Sequence, residues 1–225
     1  KAGGTMTGNL ATAGISAVTA GTGNFVAGVN AGNSIVSGGN NNTLVGDEAG
    51  TAITTGDDNT AVGKSALESN TTGSSNTAVG DNSLSANTTA ANNVAVGGYA
   101  LSTNTTGTAN VAVGKIALRF NTTADNNTAI GYSALYANTT GSNNTANGYN
   151  ALTANTTGEY NTAHGVKALE NNTTGTQNTS VGFQSLKNNT TASYNTALGM
   201  YALNLNTTGA NNTAVGLQAL KSNTT

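Results

Sequence analysis

The sequence predicts an all-β fold, a parallel β-roll (β-solenoid) with one coil per 17-residue repeat. The first observation behind this prediction is the repeat itself, which runs without a slip from Asn42 to Thr225. The second is that its apolar positions show no helical spacing. The third is that Asn, Thr and Gly, which favour turns and are weak helix formers, separate its short apolar segments. Helical repeats need about 33 to 47 residues and leucine-rich repeats about 20 to 29, so a shorter unit favours a β-solenoid coil.

The repeat unit reads N-T-A-V-G-x-x-A-L-x-x-N-T-T-G-x-x and occurs in eleven copies, the last of them truncated. The first and fifth positions are Asn and Gly in all eleven copies. The third position is Ala in nine copies, the eighth is Ala or Ser throughout, and the ninth is Leu in ten. The chain holds 37 Asn and 41 Thr with only 7% charged residues, a composition that by itself leaves a disordered coil open. The unbroken frame argues against disorder.

Each unit is expected to begin with a short strand, in which side chains alternate between the two faces. Thr60 and Val62 then point one way, and Asn59 and Ala61 point the other. A second short strand is predicted through residues 66–67, so that each coil holds two strands that pair in parallel with their equivalents. Small residues at the third and eighth positions predict a narrow interior, and charged residues from Asp47 onward occupy only variable positions.

The outward side chains of the second and fourth positions form a stripe along the rod. The fourth position is Val, Ile or Leu in nine copies. Long apolar patches mark interfaces, so the rods are expected to self-associate, with three-fold closure as the favoured arrangement. At a strand spacing of ~4.8 Å, eleven coils give a rod of roughly 50 Å. The predicted axial stripe contains Thr60, Val62, Val79, Val96, Val113, Ile130, Val181, Leu198 and Val215.

Two polar residues, Asn147 and His164, interrupt the fourth position in adjacent copies. On a three-fold axis they would stack as two neighbouring polar layers, and buried polar groups need hydrogen-bond partners. A layer that sets the register of the chains, as a buried Asn does in coiled coils, is favoured. An ion site, or a metal site formed by three copies of His164, is the alternative.

Residues 1–41 lack the frame, and residues 42–225 form the predicted eleven-coil roll. Residues 1–23 are interpreted as a connector that contains the sequence Gly-Gly-Thr-Met-Thr-Gly. Residues 24–41 are interpreted as a degenerate capping coil, which solenoids need at their ends, with strand-like segments at 25–28 and 34–36. The start at Lys1 and the truncated last copy predict a piece of a longer protein.

Composition argues against several classes of function. No apolar run is long enough to span a membrane, and the seven scattered basic residues cannot form a nucleic-acid-binding surface. Without Cys there is no thiol nucleophile or thiolate metal site. His164 is the only His, and the repeated glycines lack the context of a phosphate-binding loop. We therefore expect no enzyme activity, no cofactor, no nucleic-acid partner and no membrane insertion.

The N-T-T triplets match N-glycosylation sequons, but their regular spacing favours a ladder in which each Asn bonds to its equivalent one coil away. The rows of Thr that they form also suggest an ice-binding solenoid. The two Thr of a triplet are adjacent and point to opposite sides, however, so at most one row faces outward. The acidic cluster of Asp47, Glu48, Asp57 and Asp58 is interpreted as a solvated face rather than a cation site.

Aromatic side chains at variable positions suit contacts with a sugar or a protein, or else cover seams between subunits. The candidates for surface contact are Tyr99, Tyr132, Tyr136 and Tyr201.

The N-T-A-V-G motif resembles the S-V-A-I-G-type coil motif of trimeric autotransporter adhesin heads, the YadA-like left-handed parallel β-rolls. The longer unit with A-L-x-x-N-T-T-G resembles a variant found in phage tail-fibre proteins, and residues 2–10 are similar to a G-G-T-M-T-G-x-L element of tail fibres. The resemblance implies a left-handed homotrimer, with the Thr60 and Val62 face toward the trimer axis and Ala61 inside the coil. The unit is longer than the one usual in the adhesins.

These features predict a structural or adhesive fibre segment, the shaft of a phage tail (or head) fibre in the virion. Its expected partners are copies of itself, other virion or fibre proteins at its N-terminal end, and a glycan or protein of the host surface. The alternative is the head of a trimeric adhesin on a bacterial cell surface, and an ice-binding solenoid is a third hypothesis.

Overall fold

The computed structural model describes residues 15–16 and 20–224, which form one β-solenoid; the predicted Gly-Gly-Thr-Met-Thr-Gly element lies outside them. No helix is present in this part of the chain, and so none that could cross a membrane. The strands are β1 (Ile15–Ser16), β2 (Phe25–Ala27), β3 (Thr43–Val45), β4 (Thr60–Val62), β5 (Thr77–Val79), β6 (Val94–Val96), β7 (Val111–Val113), β8 (Thr128–Ile130), β9 (Thr145–Asn147), β10 (Thr162–His164), β11 (Thr179–Val181), β12 (Thr196–Leu198) and β13 (Thr213–Val215).

All thirteen strands form one sheet in chain order, and β2 to β13 pair in parallel with their neighbours. From β3 onward the pairing joins equivalent repeat positions, as in Thr60 opposite Thr77 and Val62 opposite Val79. This confirms the predicted all-β solenoid with one coil per repeat. The preceding coil is one residue longer, because Phe25 pairs with Thr43. Strand β1 runs antiparallel to β2.

The strand side chains alternate as predicted. Ala61 is fully buried, whereas Val62 on the same strand is 36% exposed. Ala61 packs inside the coil with the Ala and Leu of the eighth and ninth positions, so a narrow apolar core runs the length of the rod. The fully buried ninth-position leucines are Leu67, Leu84, Leu101, Leu118, Leu135, Leu152, Leu169, Leu186 and Leu203.

The prediction of a second strand at residues 66–67 is wrong. Leu67 has a φ of +55°, in the left-handed region, and the segment is a chain of turns. Within it Asn70 N donates to Leu67 O at 3.3 Å, while Leu67 N donates to Ser83 O of the next coil at 3.0 Å. The turn segment therefore still bonds coil to coil without being extended. Residues 34–36, also predicted as a strand, are likewise not extended strand.

The one exception to Leu at the ninth position, Gly50, is explained by its neighbours. In that coil Leu44 replaces the usual Ala and Ile53 replaces the usual Asn, and both side chains are fully buried. A Cβ added to Gly50 would lie 2.8 Å from both Leu44 Cδ2 and Ile53 Cδ1. The larger residues have taken the volume that Leu occupies elsewhere, which keeps the interior close-packed.

Candidate functional site

The Asn of each N-T-T triplet lies inside the coil and forms the predicted ladder. Asn87 Nδ2 donates to Asn70 Oδ1 at 2.9 Å and to Ala90 O of its own coil at 3.0 Å. The same contacts recur to Asn206 Nδ2, which donates to Asn189 Oδ1 at 3.2 Å. Asn70 and Asn87 are fully buried, so in the folded chain these amides are not accessible to a glycan.

The invariant Asn of the first position forms a second ladder that the sequence interpretation missed. Asn59 donates from both its backbone N and its Nδ2 to Asn42 Oδ1, at 3.0 and 3.1 Å. Asn59 Nδ2 also donates to Gly73 O at 2.9 Å. The signal was present, because a polar residue that is invariant in all eleven copies beside an inward-facing Ala must itself be satisfied inside the coil.

The two Thr residues of each triplet have different roles. Thr71 is half-buried, and both its N and its Oγ1 donate to Thr88 O, at 2.8 and 3.0 Å. Thr72 is exposed. Each triplet therefore contributes one Thr side chain to the connections between coils and one to an outward rank.

The predicted axial stripe lies on the outer face of the sheet. Along its fourth position, Ile130 is 40% exposed and Leu198 47%. Thr60 and the valines at 79, 96, 113 and 181 are half-buried in the single chain. The stripe is thus an apolar row on a strand face that nothing in the described chain covers.

The two predicted polar residues lie side by side in this row. His164 pairs in register with Asn147 on one side and Val181 on the other. His164 is exposed and Asn147 half-buried. They form adjacent polar positions in an otherwise apolar row.

The acidic cluster bonds to neighbouring coils. Asp57 Oδ1 accepts from Asn40 N at 2.7 Å, and Asp58 Oδ1 accepts from Asn41 Nδ2 at 3.2 Å. These carboxylates connect the first repeat to the coil before it. Over residues 15–16 and 20–224, no three His, Asp or Glu side chains come together as metal ligands.

The predicted contact tyrosines fall into separate groups. The Arg119 guanidinium lies 5.2 Å from the Tyr99 ring centre, and Phe120 meets Tyr136 edge-to-face at 4.9 Å. Arg119 also lies 5.3 Å from the Phe120 ring centre, so one cluster contains both Tyr99 and Tyr136.

The two other predicted tyrosines lie further along the rod. Tyr132 stacks on Tyr149 with ring centres 5.6 Å apart. Tyr201 meets Phe183 edge-to-face at 5.4 Å and has Lys221 Nζ 5.2 Å from its ring centre.

A feature that the sequence interpretation missed runs along the sixth position, two residues after the stripe. In the first five coils this position carries Asp47, Lys64, Asp81, Gly98 and Lys115. In the last six coils it carries Tyr132, Tyr149, Val166, Phe183, Met200 and Leu217, which we call the sixth-position ridge. Every ridge side chain is exposed, and those with a coil on both sides range from 39% for Phe183 to 48% for Tyr149. Aligning the copies by position reveals the change from charged to apolar residues.

Comparison with known proteins found no matching family model, and no significant similarity to a curated protein sequence or to a solved structure.

Proposed function

We propose that this chain is a structural segment of a fibre, a rigid rod that assembles with copies of itself into a homotrimer along the predicted axial stripe. The observation that carries the proposal is the stripe. A β-solenoid with an apolar row on its outer strand face needs a partner of the same length and period, and another copy of the chain has both. The polar pair Asn147 and His164 would then set the register of the chains.

The hydrogen bonding supports a mechanical role. Backbone donors bond from coil to coil in the strand, as in Thr60 N to Asn76 O at 2.8 Å, and in the turns, as in Leu67 N to Ser83 O at 3.0 Å. Two ladders of buried Asn run beside them. Bending or stretching the rod would break several of these bonds at once, so the coils resist deformation together.

The finer identity rests on the motif resemblance described above. It favours the shaft of a phage tail or head fibre, located in the virion and joined to other fibre proteins at its N-terminal end. The aromatic groups around Tyr99, Tyr136 and Tyr201 are the proposed contacts for a host glycan or protein. The head of a bacterial trimeric adhesin is the alternative, since it would use the same rod and the same stripe. The sequences that flank this segment in the full-length gene product distinguish the two.

Replacing Val96 with Asp tests the self-assembly. Val96 lies on the stripe, and in a trimer three carboxylates would meet without partners, which is strongly unfavourable. The wild-type chain should sediment as a trimer and the Val96→Asp variant as a monomer with an unchanged circular dichroism spectrum. The matched control is Thr106→Asp, which puts the same charge on an exposed position of the same coil and should leave the trimer intact. A wild-type chain that remains a folded monomer at high concentration would overturn the proposal.

A further inference from the structure

The sixth-position ridge begins abruptly. From Tyr132 to Leu217 six successive coils carry an aromatic or aliphatic side chain, whereas the five coils before them carry charges or Gly. The backbone does not require an apolar residue at the sixth position, because Lys64 and Lys115 occupy that position in other coils. The apolar residues therefore serve something outside the coil.

The ridge adjoins the axial stripe. Only the glycine of the fifth position separates the fourth position from the sixth, so their Cα atoms lie at most about 7 Å apart. In the last six coils the two rows run side by side, and both are apolar except at Asn147 and His164 in the fourth-position row. In four of the first five coils a charged side chain flanks the stripe, and in the other one the residue is Gly98.

Contacts within the chain leave this face uncovered. Tyr132 stacks on Tyr149 and Phe183 meets Tyr201, yet Tyr132 and Tyr149 are still 47% and 48% exposed. With areas of about 150–250 Å² for each of the three aromatic side chains and somewhat less for the three aliphatic ones, the ridge leaves roughly 500 Å² of apolar surface in water. That equals the largest patch on a typical monomer, about 300–600 Å², before the stripe beside it is counted.

We propose that the sixth-position ridge is a second self-association surface, against which another copy of this chain packs over the last six coils. The ridge then adds contacts over the C-terminal coils to those that the stripe makes along the rod. This inference rests on the self-assembly proposed above. Two arguments select a second copy as the occupant, the period of the ridge and its area.

The period argument is that a partner must place a contact opposite every coil for six coils, and another copy of the same solenoid does so. The area argument is that the ridge leaves roughly 500 Å² of apolar surface in water, and that Ile130 and Leu198 in the adjoining row are a further 40% and 47% exposed. Together they approach the roughly 800 Å² that each partner contributes to a standard stable interface.

The test is a double substitution, Tyr149→Lys with Phe183→Lys. Lys occupies the sixth position in other coils, so the variant should keep its fold. The matched control is Tyr160→Lys with Tyr194→Lys, which adds the same charge to the same half of the rod. Both control residues lie at the seventeenth position and are 56% and 55% exposed. Sedimentation equilibrium should show at least a hundredfold weaker association for the ridge variant and wild-type association for the control.

A photoreactive residue gives an independent measurement. Placed at Met200 it should crosslink two copies of the chain, and placed at Tyr194 it should not. If the ridge variant assembles like its control while Val96→Asp is monomeric, the ridge inference is wrong and the proposed function stands. If the wild-type chain is itself monomeric, both fail.

Discussion

At the scale of single residues, the coil depends on backbone conformations that most side chains avoid. In each complete repeat the seventh, ninth and seventeenth positions have positive φ, as at Ser65 (52°), Leu67 (55°) and Ser75 (59°). The left-handed region costs an L-residue roughly 1–2 kcal/mol. Each of these residues recovers part of that cost through a bond to a neighbouring coil, as in Ser65 N to Asp47 O at 2.9 Å and Ser75 N to Asp57 O at 3.0 Å.

The fifth-position glycine is more constrained, although it too donates to a neighbouring coil, as in Gly97 N to Val79 O at 2.7 Å. From Gly28 to Gly216 its φ lies between 126° and 147°, a region that side chains rarely adopt. A Cβ on Gly97 would also lie 2.6 Å from the carbonyl O of Gly114 in the next coil. That atom belongs to the backbone and cannot rotate away.

Gly97→Ala should therefore destabilise the chain by about 3 kcal/mol, from the backbone strain together with the clash. At about 2–4 °C per kcal/mol for a chain of this size, the melting temperature should fall by about 10 °C. Thermal unfolding followed by circular dichroism measures it.

The neighbouring glycine supplies the control. Gly98 has no positive φ, and the atom nearest to an added Cβ is Asp81 O at 3.9 Å. Gly98→Ala should be neutral or stabilise the chain by about 0.4–1 kcal/mol, because it restricts the unfolded state. Equal melting temperatures for the two variants would refute this account of the fifth position.

At the scale of the element, each coil consists of one three-residue strand and a long turn segment, closed around buried amides. The Asn ladders hold the coils together, a role that a larger apolar core has in other folds. Asn172 Nδ2 donates to Asn155 Oδ1 at 2.9 Å, and Asn172 Oδ1 accepts from Asn189 Nδ2 at 2.8 Å. Each amide thus bonds to the coil before it and the coil after it, so removing one affects three coils.

Asn172→Ala should cost about 3 kcal/mol, because it leaves Asn155 Oδ1 buried without a donor and opens a small void. The adjacent Asn171 is the matched control, since it is half-exposed and its Nδ2 makes one bond, to Asn188 Oδ1 at 3.2 Å. Asn171→Ala should cost less than about 1 kcal/mol. Chemical denaturation of both variants compares the two free energies of unfolding. A cost for Asn171→Ala as large as that for Asn172→Ala would show that the ladder has no special role.

The strand could be predicted from the sequence, whereas the rest of the coil could be predicted only in part. Alternation around Ala61 indicates a strand with one buried face, and the structure has it. The Ala-Leu pair at residues 66–67 carries no periodicity, because two apolar residues fit a strand or a turn equally well. Its turn conformation depends on bonds to adjacent coils, as in Leu67 N to Ser83 O, and such contacts between repeats are invisible in one repeat alone.

Of the candidate surfaces, too, one could be predicted from a single repeat and the others could not. The apolar stripe follows from strand alternation, so Val62 and Ile130 are found outward, as predicted. The sixth-position ridge shows no pattern within a single repeat and emerges only when the copies are compared position by position. Tyr99 and Tyr136 lie in the coils on either side of the one that holds Arg119 and Phe120, which link them. This cluster forms only because consecutive coils stack.

At the scale of the whole molecule, the rod is a stack in which each coil contacts only its neighbours. Stability in such a stack is close to a sum of coil and interface terms. The low charge and the small number of large apolar residues follow from this geometry, because a coil has one ninth-position Leu inside and few variable positions outside. The stack requires that equivalent repeat positions stay aligned from each coil to the next.

Removing one whole repeat should therefore preserve the fold. Deleting residues 62–78 joins Ala61 to Val79 and restores the repeat frame, so the chain should fold with the rod shortened by ~4.8 Å. Deleting residues 62–77 joins Ala61 to Ala78 and leaves one extra residue within the strand. A one-residue slip turns the side chains of a strand to the opposite face, and the alternative is a bulge that breaks the ladder. The first variant should melt within a few degrees of the wild-type chain and the second well below it, with rod length measured by small-angle scattering. Equal melting temperatures for the two deletion variants would show that the rod does not depend on an unbroken repeat register along its strands.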